Sequence, residues 1–341
     1  MKKKLNYRYV VPTIICLLAI AGLFYYYFFA SFSSKKETQY VCIDRDDNID
    51  SVFAKLEPIA KQHSLTGYKT MVRHTSYADH IRTGRYAVKP GEGAFTVFRH
   101  LKNGIQTPVN LTIPSVRSID RIASTVGRKL MIDSAEVMQA LNDPAVMKKY
   151  GFDSTSIACF FIPNTYDMYW NISLDKFLDR LKREHDNFWN ADRTAKARMM
   201  GLTPNEVVTM ASIIDEETAD DAEKPMIAGM YFNRLKIGMP LQADPTVKFA
   251  LKRWDLRRIW SNMLHVNSPY NTYMNVGLPP GPIRVPSAAG INAVLDYVHH
   301  DYLYMCAKED FSGTHNFAVT YADHLKNAEK YSKALNERGI K

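Results

Sequence analysis

Three consecutive acidic residues near the middle of the chain are the group best suited to acid–base chemistry. Asp215, Glu216 and Glu217 follow residues 203–214, a segment that begins Thr-Pro-Asn-Glu. A threonine cap, a proline in the first turn and a glutamate three residues after the threonine are typical of a helix start. The sequence therefore predicts one helix that carries all three acids at its C-terminal end.

The helical period distinguishes the three acids. Glu216 continues a polar stripe and is expected to face water, whereas Glu217 continues an apolar stripe and is expected to point inward. Asp215 lies on a third stripe and is a candidate helper. A carboxyl group that loses hydration at the negative end of a helix has a raised pKa, as a general acid requires. The stripes contain Asn205, Thr209, Ser212 and Glu216; Val207, Met210, Ile214 and Glu217; and Val208, Ala211 and Asp215.

Other interpretations of these acids remain open at this point. An inward Glu217 could form a structural ion pair with an arginine, or the acids could make a solvated helix end. We expect no metal, because the acids lack the spacing of a calcium loop and no histidine lies three or four residues away on the helix. The helix alone therefore does not decide between catalysis and a structural role.

Most of the net positive charge lies at the N-terminal end. The chain has 44 Lys and Arg against 35 Asp and Glu, a net charge of +9, but residues 1–36 contain only basic charges. The remainder has a small excess, which does not support nucleic-acid binding. Residues 9–34 carry no charge and are long enough to cross a membrane. Basic residues are more numerous before this stretch than after it, which predicts a cytoplasmic tail at 1–8.

We therefore expect an uncleaved transmembrane helix at 9–34, with everything after it outside the cytoplasm at the plasma (inner) membrane. A signal peptide is the alternative, but Ala30-Ser31-Phe32 is a poor cleavage site. The four cysteines show no metal spacing, and buried free thiols are favoured over a disulfide.

The rest of the chain predicts an α+β fold without repeats or low-complexity segments. A polar linker at 33–39 is expected to lead into a small module of strands and helices at 40–155, followed by a mainly helical domain at 156–341. Helices are expected at 48–60, 94–103, 118–130, 134–150 and 322–337, and strands at 84–93, 107–114 and 302–307.

Four sequence blocks resemble the endolytic murein transglycosylases of the MltG (YceG-like) family. They occur in the family's order and span about residues 160–324. An N-terminal membrane anchor and a LysM-like module before the catalytic domain are also the family arrangement. The blocks are FFIPNTY from Phe160; MASIIDEET from Met210, followed by FNRL and IGMPLQADPTV; SPYNTY from Ser268 with GLPPGPI; and GTHNF from Gly313.

The resemblance implies that Glu217, the glutamate directly before the threonine of the second block, is the catalytic acid. This is also the residue that the helical period selects. The family cleaves the β-1,4 bond between N-acetylmuramic acid and N-acetylglucosamine within glycan strands, leaves a 1,6-anhydro end and needs no cofactor. This chain has Glu216, Asn164 and Ser287 where the family usually has Lys, Asp and Gly. Candidate substrate-binding residues in the blocks are Gln242, Asp244, Asn271, Thr272, Tyr273, His315 and Phe317.

The resemblance implies a membrane-anchored enzyme that ends growing glycan strands, which would place it beside cell-wall synthases. The alternative is a non-catalytic glycan-binding scaffold whose acid is structural. A hydrolase that leaves a reducing end is a third hypothesis. The LysM-like module either holds glycan or serves as a spacer above the membrane.

Overall fold

The computed structural model describes residues 7–256 and 259–339. Within them the fold is mixed α+β and mostly helical, and the named strands form two-stranded pairs. The chain divides into two compact units. Most of the predicted cytoplasmic tail, residues 1–6, lies outside the described residues, and its last two residues belong to the first helix.

The first unit comprises residues 7–111, 129–132 and 167–172. Its elements are α1 (Tyr7–Phe28), β1 (Gln39–Ile43), α2 (Ile49–Leu56), α3 (Gln62–Arg73), β2 (Gly84–Val88) and α4 (Ala94–Asn103). Strands β1 and β2 are antiparallel, with Gln39 opposite Val88 and Ile43 opposite Gly84. In the sequence, α2 and α3 therefore lie between the two paired strands. Helix α4 completes the core around Tyr68, which is fully buried.

Helix α1 is, among the described residues, the one helix long and apolar enough to cross a membrane. It ends at Phe28, before the end of the predicted span, and the chain continues directly into the rest of the first unit. Phe32 is fully buried in that unit's core, and Ser33 forms an antiparallel bridge with Ala60. The linker predicted at 33–39 is therefore wrong at its start, because core packing holds this segment in place.

The second unit comprises residues 112–128, 133–166 and 173–339, and the division falls within β3 (Val109–Ile113), β4 (Asn164–Met168) and α5 (Ile119–Lys129). Strands β3 and β4 pair with each other, as do β5 and β6. The other elements are α6 (Ser134–Asn142), α7 (Pro144–Tyr150), α8 (Leu174–Phe188), α9 (Ala191–Met199), α10 (Pro204–Glu217), α11 (Lys224–Lys236), α12 (Asp244–Ala250), α13 (Ala288–Leu295), β5 (Tyr304–Ala307), β6 (His315–Ala318) and α14 (Tyr321–Glu337).

Local sequence signals predicted one helix end correctly and missed a break between two helices. The helix predicted at 94–103 is confirmed, and Gly104 ends it in the left-handed region at φ 68°. The helix predicted at 134–150 is instead two helices, α6 and α7. Pro144 begins α7 and the side chain of Asp143 caps it, so the backbone leaves the helical path between them.

Helix α10, which carries the three acids, is surrounded by protein. Its predicted start is confirmed, with reciprocal bonds between Thr203 and Glu206 in a capping box. Residues 207–214 are all buried, and α10 packs against α11, α12 and α13. The polar stripe is buried as well: the hydroxyl of Ser212 accepts a bond from the Ile283 backbone N–H at 3.0 Å. The expected water-facing stripe is therefore wrong, since α10 has no solvated side along these residues.

Candidate active site

The first of the three acids, Asp215, is held within the fold. Its side chain is 4% exposed and forms a salt bridge with Lys224 at 2.8 Å. It also accepts a hydrogen bond from the Ser287 backbone N–H at 2.5 Å. Lys224 begins α11 and Ser287 caps α13, so this carboxylate joins three helices.

The second acid, Glu216, is buried between two arginines. Its side chain is 4% exposed. Arg117 donates to both carboxylate oxygens at 2.8 and 2.7 Å, and Arg284 donates to one of them at 2.8 Å. The prediction that Glu216 faces water is wrong, because guanidinium groups from distant parts of the chain replace the water. The structural ion pair considered for Glu217 is found here, one residue earlier.

The third acid, Glu217, has a different environment. It forms no salt bridge within the described residues, and the phenol of Tyr231 donates a hydrogen bond to its Oε1 at 2.7 Å. Burial raises the pKa of Glu217 to about 7; the Tyr231 bond opposes this rise, the charge of Asp244 adds to it, and His315 and Lys248 oppose it. A carboxyl group with that pKa can both hold and release a proton near neutral pH.

Tyr231, the partner of Glu217, was not predicted from the sequence. Tyr231 lies in α11 and is 2% exposed. Burial raises the pKa of its phenol well above the usual value, so the group stays a proton donor to the carboxylate. It lies on another helix, so the period of α10 carries no information about it. The only local signal is that it directly precedes the FNRL segment.

Two of the candidate substrate-binding residues lie at the surface around the start of α12, one before the helix and one in its first turn. Gln242 and Asp244 are exposed. Gln242 has φ of 51°, in the left-handed region that few non-glycine residues adopt, a strain that is common at functional sites. The Tyr273 phenol donates to Asp244 Oδ1 at 2.6 Å, and burial raises the pKa of this phenol. A fixed carboxylate and an aromatic ring therefore lie side by side.

Asn271 and Thr272, two other candidates, lie inside the protein. The amide of Asn271 donates to the backbone carbonyls of Leu264 and Val266, at 2.9 Å each. The Thr272 hydroxyl accepts a hydrogen bond from the Ala243 backbone N–H at 3.0 Å. Both side chains thus hold the loops that carry Asp244 and Tyr273, and they do not reach the surface.

The last two candidates lie on β6. His315 Nδ1 is 3.0 Å from Glu223 Oε2, and the His315 backbone N–H donates to the other oxygen of Glu223 at 2.6 Å. Glu223 fixes this imidazole and was not identified from the sequence. The ring of Phe317 is partly buried and lies 5.6 Å from that of Tyr302.

The structure brings Asp244, Tyr273 and His315 close enough to Glu217 for electrostatic interaction. Gln242 and Phe317 carry no charge, so an electrostatic interaction with Glu217 does not apply to them. The arrangement supplies one proton-exchanging carboxyl group, one nearby fixed carboxylate, an imidazole and a tyrosine ring. Such groups can protonate an oxygen and contact a sugar.

Comparison with known proteins shows which family the chain resembles. The sequence matches the YceG-like family over residues 41–330. It is 27% identical over 306 residues to an endolytic murein transglycosylase of Bacillus subtilis (strain 168), covering 84% of each chain. It is 27% identical over 338 residues to one from Streptococcus pneumoniae (strain D39), covering 89% of this chain and 60% of the relative.

A solved structure shows the same similarity. The 2.6 Å crystal structure of a yceG-like protein from Listeria monocytogenes has a TM-score of 0.54 and 25% sequence identity. The match covers 86% of this chain and 99% of the other. Together with the family match over most of the sequence, this shows that the chain belongs to the YceG-like family.

Proposed function

We propose that this protein is an endolytic murein transglycosylase with Glu217 as its catalytic acid and base. The observation that carries the proposal is the contrast among the three acids of α10. Asp215 and Glu216 are paired with cations, whereas Glu217 has a phenol partner and a pKa raised to about 7. The names of the B. subtilis and S. pneumoniae relatives support the same activity.

In the proposed reaction, protonated Glu217 donates its proton to the glycosidic oxygen between N-acetylmuramic acid and N-acetylglucosamine. The bond from this oxygen to the anomeric carbon breaks and positive charge develops on that carbon. The carboxylate of Glu217 then takes the proton of the same sugar's C6 hydroxyl, whose oxygen bonds to the anomeric carbon. A 1,6-anhydro ring forms, no water is consumed, and Glu217 is protonated again.

The surrounding residues have supporting roles in this proposal. Gln242, Asp244, Tyr273, His315 and Phe317 line the sugar groove. Asp244 is positioned by Tyr273 and offers negative charge where the sugar becomes positive, as carboxylates do in glycosidases. Asn271 and Thr272 act indirectly, since their side chains hold the loops.

The proposal extends to the location of the enzyme. Helix α1 anchors the chain in the plasma membrane with the catalytic unit outside the cytoplasm. The first unit acts as a LysM-like module, either holding glycan or serving as a spacer. This location would bring the enzyme close to cell-wall synthases, and cleavage there would end growing strands.

The test is mass spectrometry of purified murein treated with the full chain in detergent. We expect 1,6-anhydro ends from the parent and at least about a 100-fold loss with Glu217→Gln, the usual scale of general acid–base catalysis. Glu216→Gln is the matched control, the same chemical change one residue away. It should lower the melting temperature by weakening the arginine pairs and still give anhydro ends.

Other products would contradict the proposal in distinct ways. Reducing ends would identify a hydrolase that activates water. Glycan binding without any product from the parent would favour the non-catalytic scaffold. If Glu217→Gln formed anhydro ends at the parent's rate, Glu217 would not be the catalytic acid.

A further inference from the structure

A cavity of about 520 Å³ in the second unit is lined by more cationic than anionic side chains. Three cationic residues line it, Arg117, Lys252 and Arg284, and we call it the basic cavity. Asp120 is the acidic residue on its wall. A second cavity of about 330 Å³ also contacts Val116, and its lining includes Arg121 and Arg128. The two cavities thus place five cations along one region of the surface.

Two of these cations are fixed before any ligand arrives. Arg284 bonds Glu216 at 2.8 Å and the Ser115 hydroxyl at 2.9 Å, and its Nε is buried with no acceptor among the described residues. The Arg117 guanidinium lies 4.7 Å from the centre of the Trp254 ring. Both arginines share the single carboxylate of Glu216, so positive charge remains available to a ligand.

Lys252, the third cation, is available to bind a ligand. It is exposed and forms no ion pair within the described part of the chain. Its φ of 54° ends α12 in a left-handed cap, in which the Arg253 backbone N–H donates to the Lys248 carbonyl at 2.9 Å. This cap fixes the backbone from which the lysine side chain extends.

Arg117 and Arg284 link the basic cavity to the last turn of α10, which carries the catalytic acid. Glu216, which bonds two of its cations, directly precedes Glu217 in the last turn of α10. A glycan strand that runs from Glu217 past Glu216 would carry its substituents near this cavity. Murein strands bear short peptides on their muramic acid residues, and these peptides contain free carboxylates, which arginine and lysine bind well.

We propose that the basic cavity is a subsite for a carboxylate of the peptide stem on the murein strand. This inference rests on the proposed function, because it takes murein as the substrate. It adds a specificity element: the enzyme selects peptide-bearing strands over bare glycan.

The test measures binding separately from cleavage. The full chain carrying Glu217→Gln is purified in detergent, and its Kd is measured for peptide-bearing glycan strands and for the same strands after amidase removal of the peptides. A third ligand is the free stem peptide, either unmodified or with its carboxylates amidated. Lys252→Glu and Lys252→Gln are compared with Lys176→Glu, a matched change at an exposed lysine of α8 that forms no ion pair within the described residues.

We expect the protein to prefer peptide-bearing strands over bare ones. Lys252→Gln should weaken binding of peptide-bearing strands about threefold and Lys252→Glu about tenfold. Neither should change the Kd for bare strands, and Lys176→Glu should change neither Kd. Added salt should reduce the preference.

Several results would overturn the inference. These are equal Kd values for peptide-bearing and bare strands, equal binding of amidated and unmodified peptide, or an unchanged Kd with Lys252→Glu. If murein treated with the parent gave no anhydro ends while the Lys252-dependent preference persisted, the proposed function alone would fail.

Discussion

The phenol of Tyr231 and the charge of Asp244 act on Glu217 in opposite directions. The Tyr231 hydrogen bond stabilises the carboxylate and lowers its pKa, whereas Asp244 disfavours a second negative charge and raises it. A general acid must be protonated, so activity should fall as the pH rises through the pKa of about 7.

The fall of activity at high pH is the alkaline limb of the pH profile. Removing the Tyr231 phenol or the Asp244 charge should move this limb in opposite directions. Tyr231→Phe should shift the limb of the kcat–pH profile to higher pH, and Asp244→Asn should shift it to lower pH. The measurement is the initial rate of anhydro-end formation from pH 4 to 9 at saturating substrate. Shifts of both variants in one direction would show that these two residues do not set the protonation of Glu217.

The sequence predicted the inward position of Glu217 but not the environment of its neighbour. The helical period indicates which residues share a stripe, and Glu217 continues the apolar stripe of Val207, Met210 and Ile214. The period does not indicate how many sides of α10 are covered by the rest of the protein. The arginines that pair with Glu216 lie 99 and 68 positions away, and no local pattern could supply them.

At the scale of elements, the connection between α1 and the rest of the first unit is packed against the protein where the sequence suggested a linker. The backbone of α1 approaches α3 closely at Gly67: an added Cβ there would lie 2.2 Å from the carbonyl oxygen of Tyr27. The rings of Tyr26 and His63 stack at 3.9 Å. The polar composition of residues 33–39 suggested an unpacked segment. Phe32, the residue directly before it, is buried in the core and holds the start of the segment against the protein.

Phe32 should therefore decide where a stable soluble fragment can begin. A fragment of residues 31–341 keeps this side chain, and a fragment of 37–341 loses it. Losing a buried phenylalanine costs about 3–5 kcal/mol, so we expect the shorter fragment to have a free energy of unfolding lower by about that amount. Urea titration followed by circular dichroism measures the difference.

A matched pair of substitutions separates packing from fragment length. Within residues 31–341, Phe32→Ala should reproduce the loss seen in the shorter fragment. Phe95→Ala changes a phenylalanine that is 45% exposed and should leave the unfolding free energy nearly unchanged. Equal stability of the two fragments would mean that Phe32 contributes nothing to this core.

Other elements were predicted well where local chemistry alone determines them. Gly104 ended α4 at the predicted residue because only its own backbone conformation is involved. The break between α6 and α7 was missed because the apolar spacing continues through it. Asp143 and Pro144 were the available signals, a cap followed by a first-turn proline.

At the scale of the whole molecule, charge and hydropathy are both concentrated at the N-terminal end. Lys2, Lys3, Lys4 and Arg8 precede the apolar stretch, and Lys35 and Lys36 follow it. Cytoplasmic segments beside a membrane helix carry the excess of basic residues, so this distribution favours an N-terminus in the cytoplasm. The catalytic unit would then lie on the side of the membrane where murein is found.

This orientation can be tested with full chains that carry one epitope tag at either terminus. In cells stripped of their wall, we expect added protease to remove a C-terminal tag, whereas an N-terminal tag should be protected until the membrane is lysed. The protein should also stay with the membrane after a high-salt wash, since apolar burial of α1 is insensitive to screening. Protection of the C-terminal tag would reverse the proposed orientation. Release of a chain lacking its first 30 or so residues would show that the segment acts as a signal peptide, because cleavage separates such a segment from the mature chain.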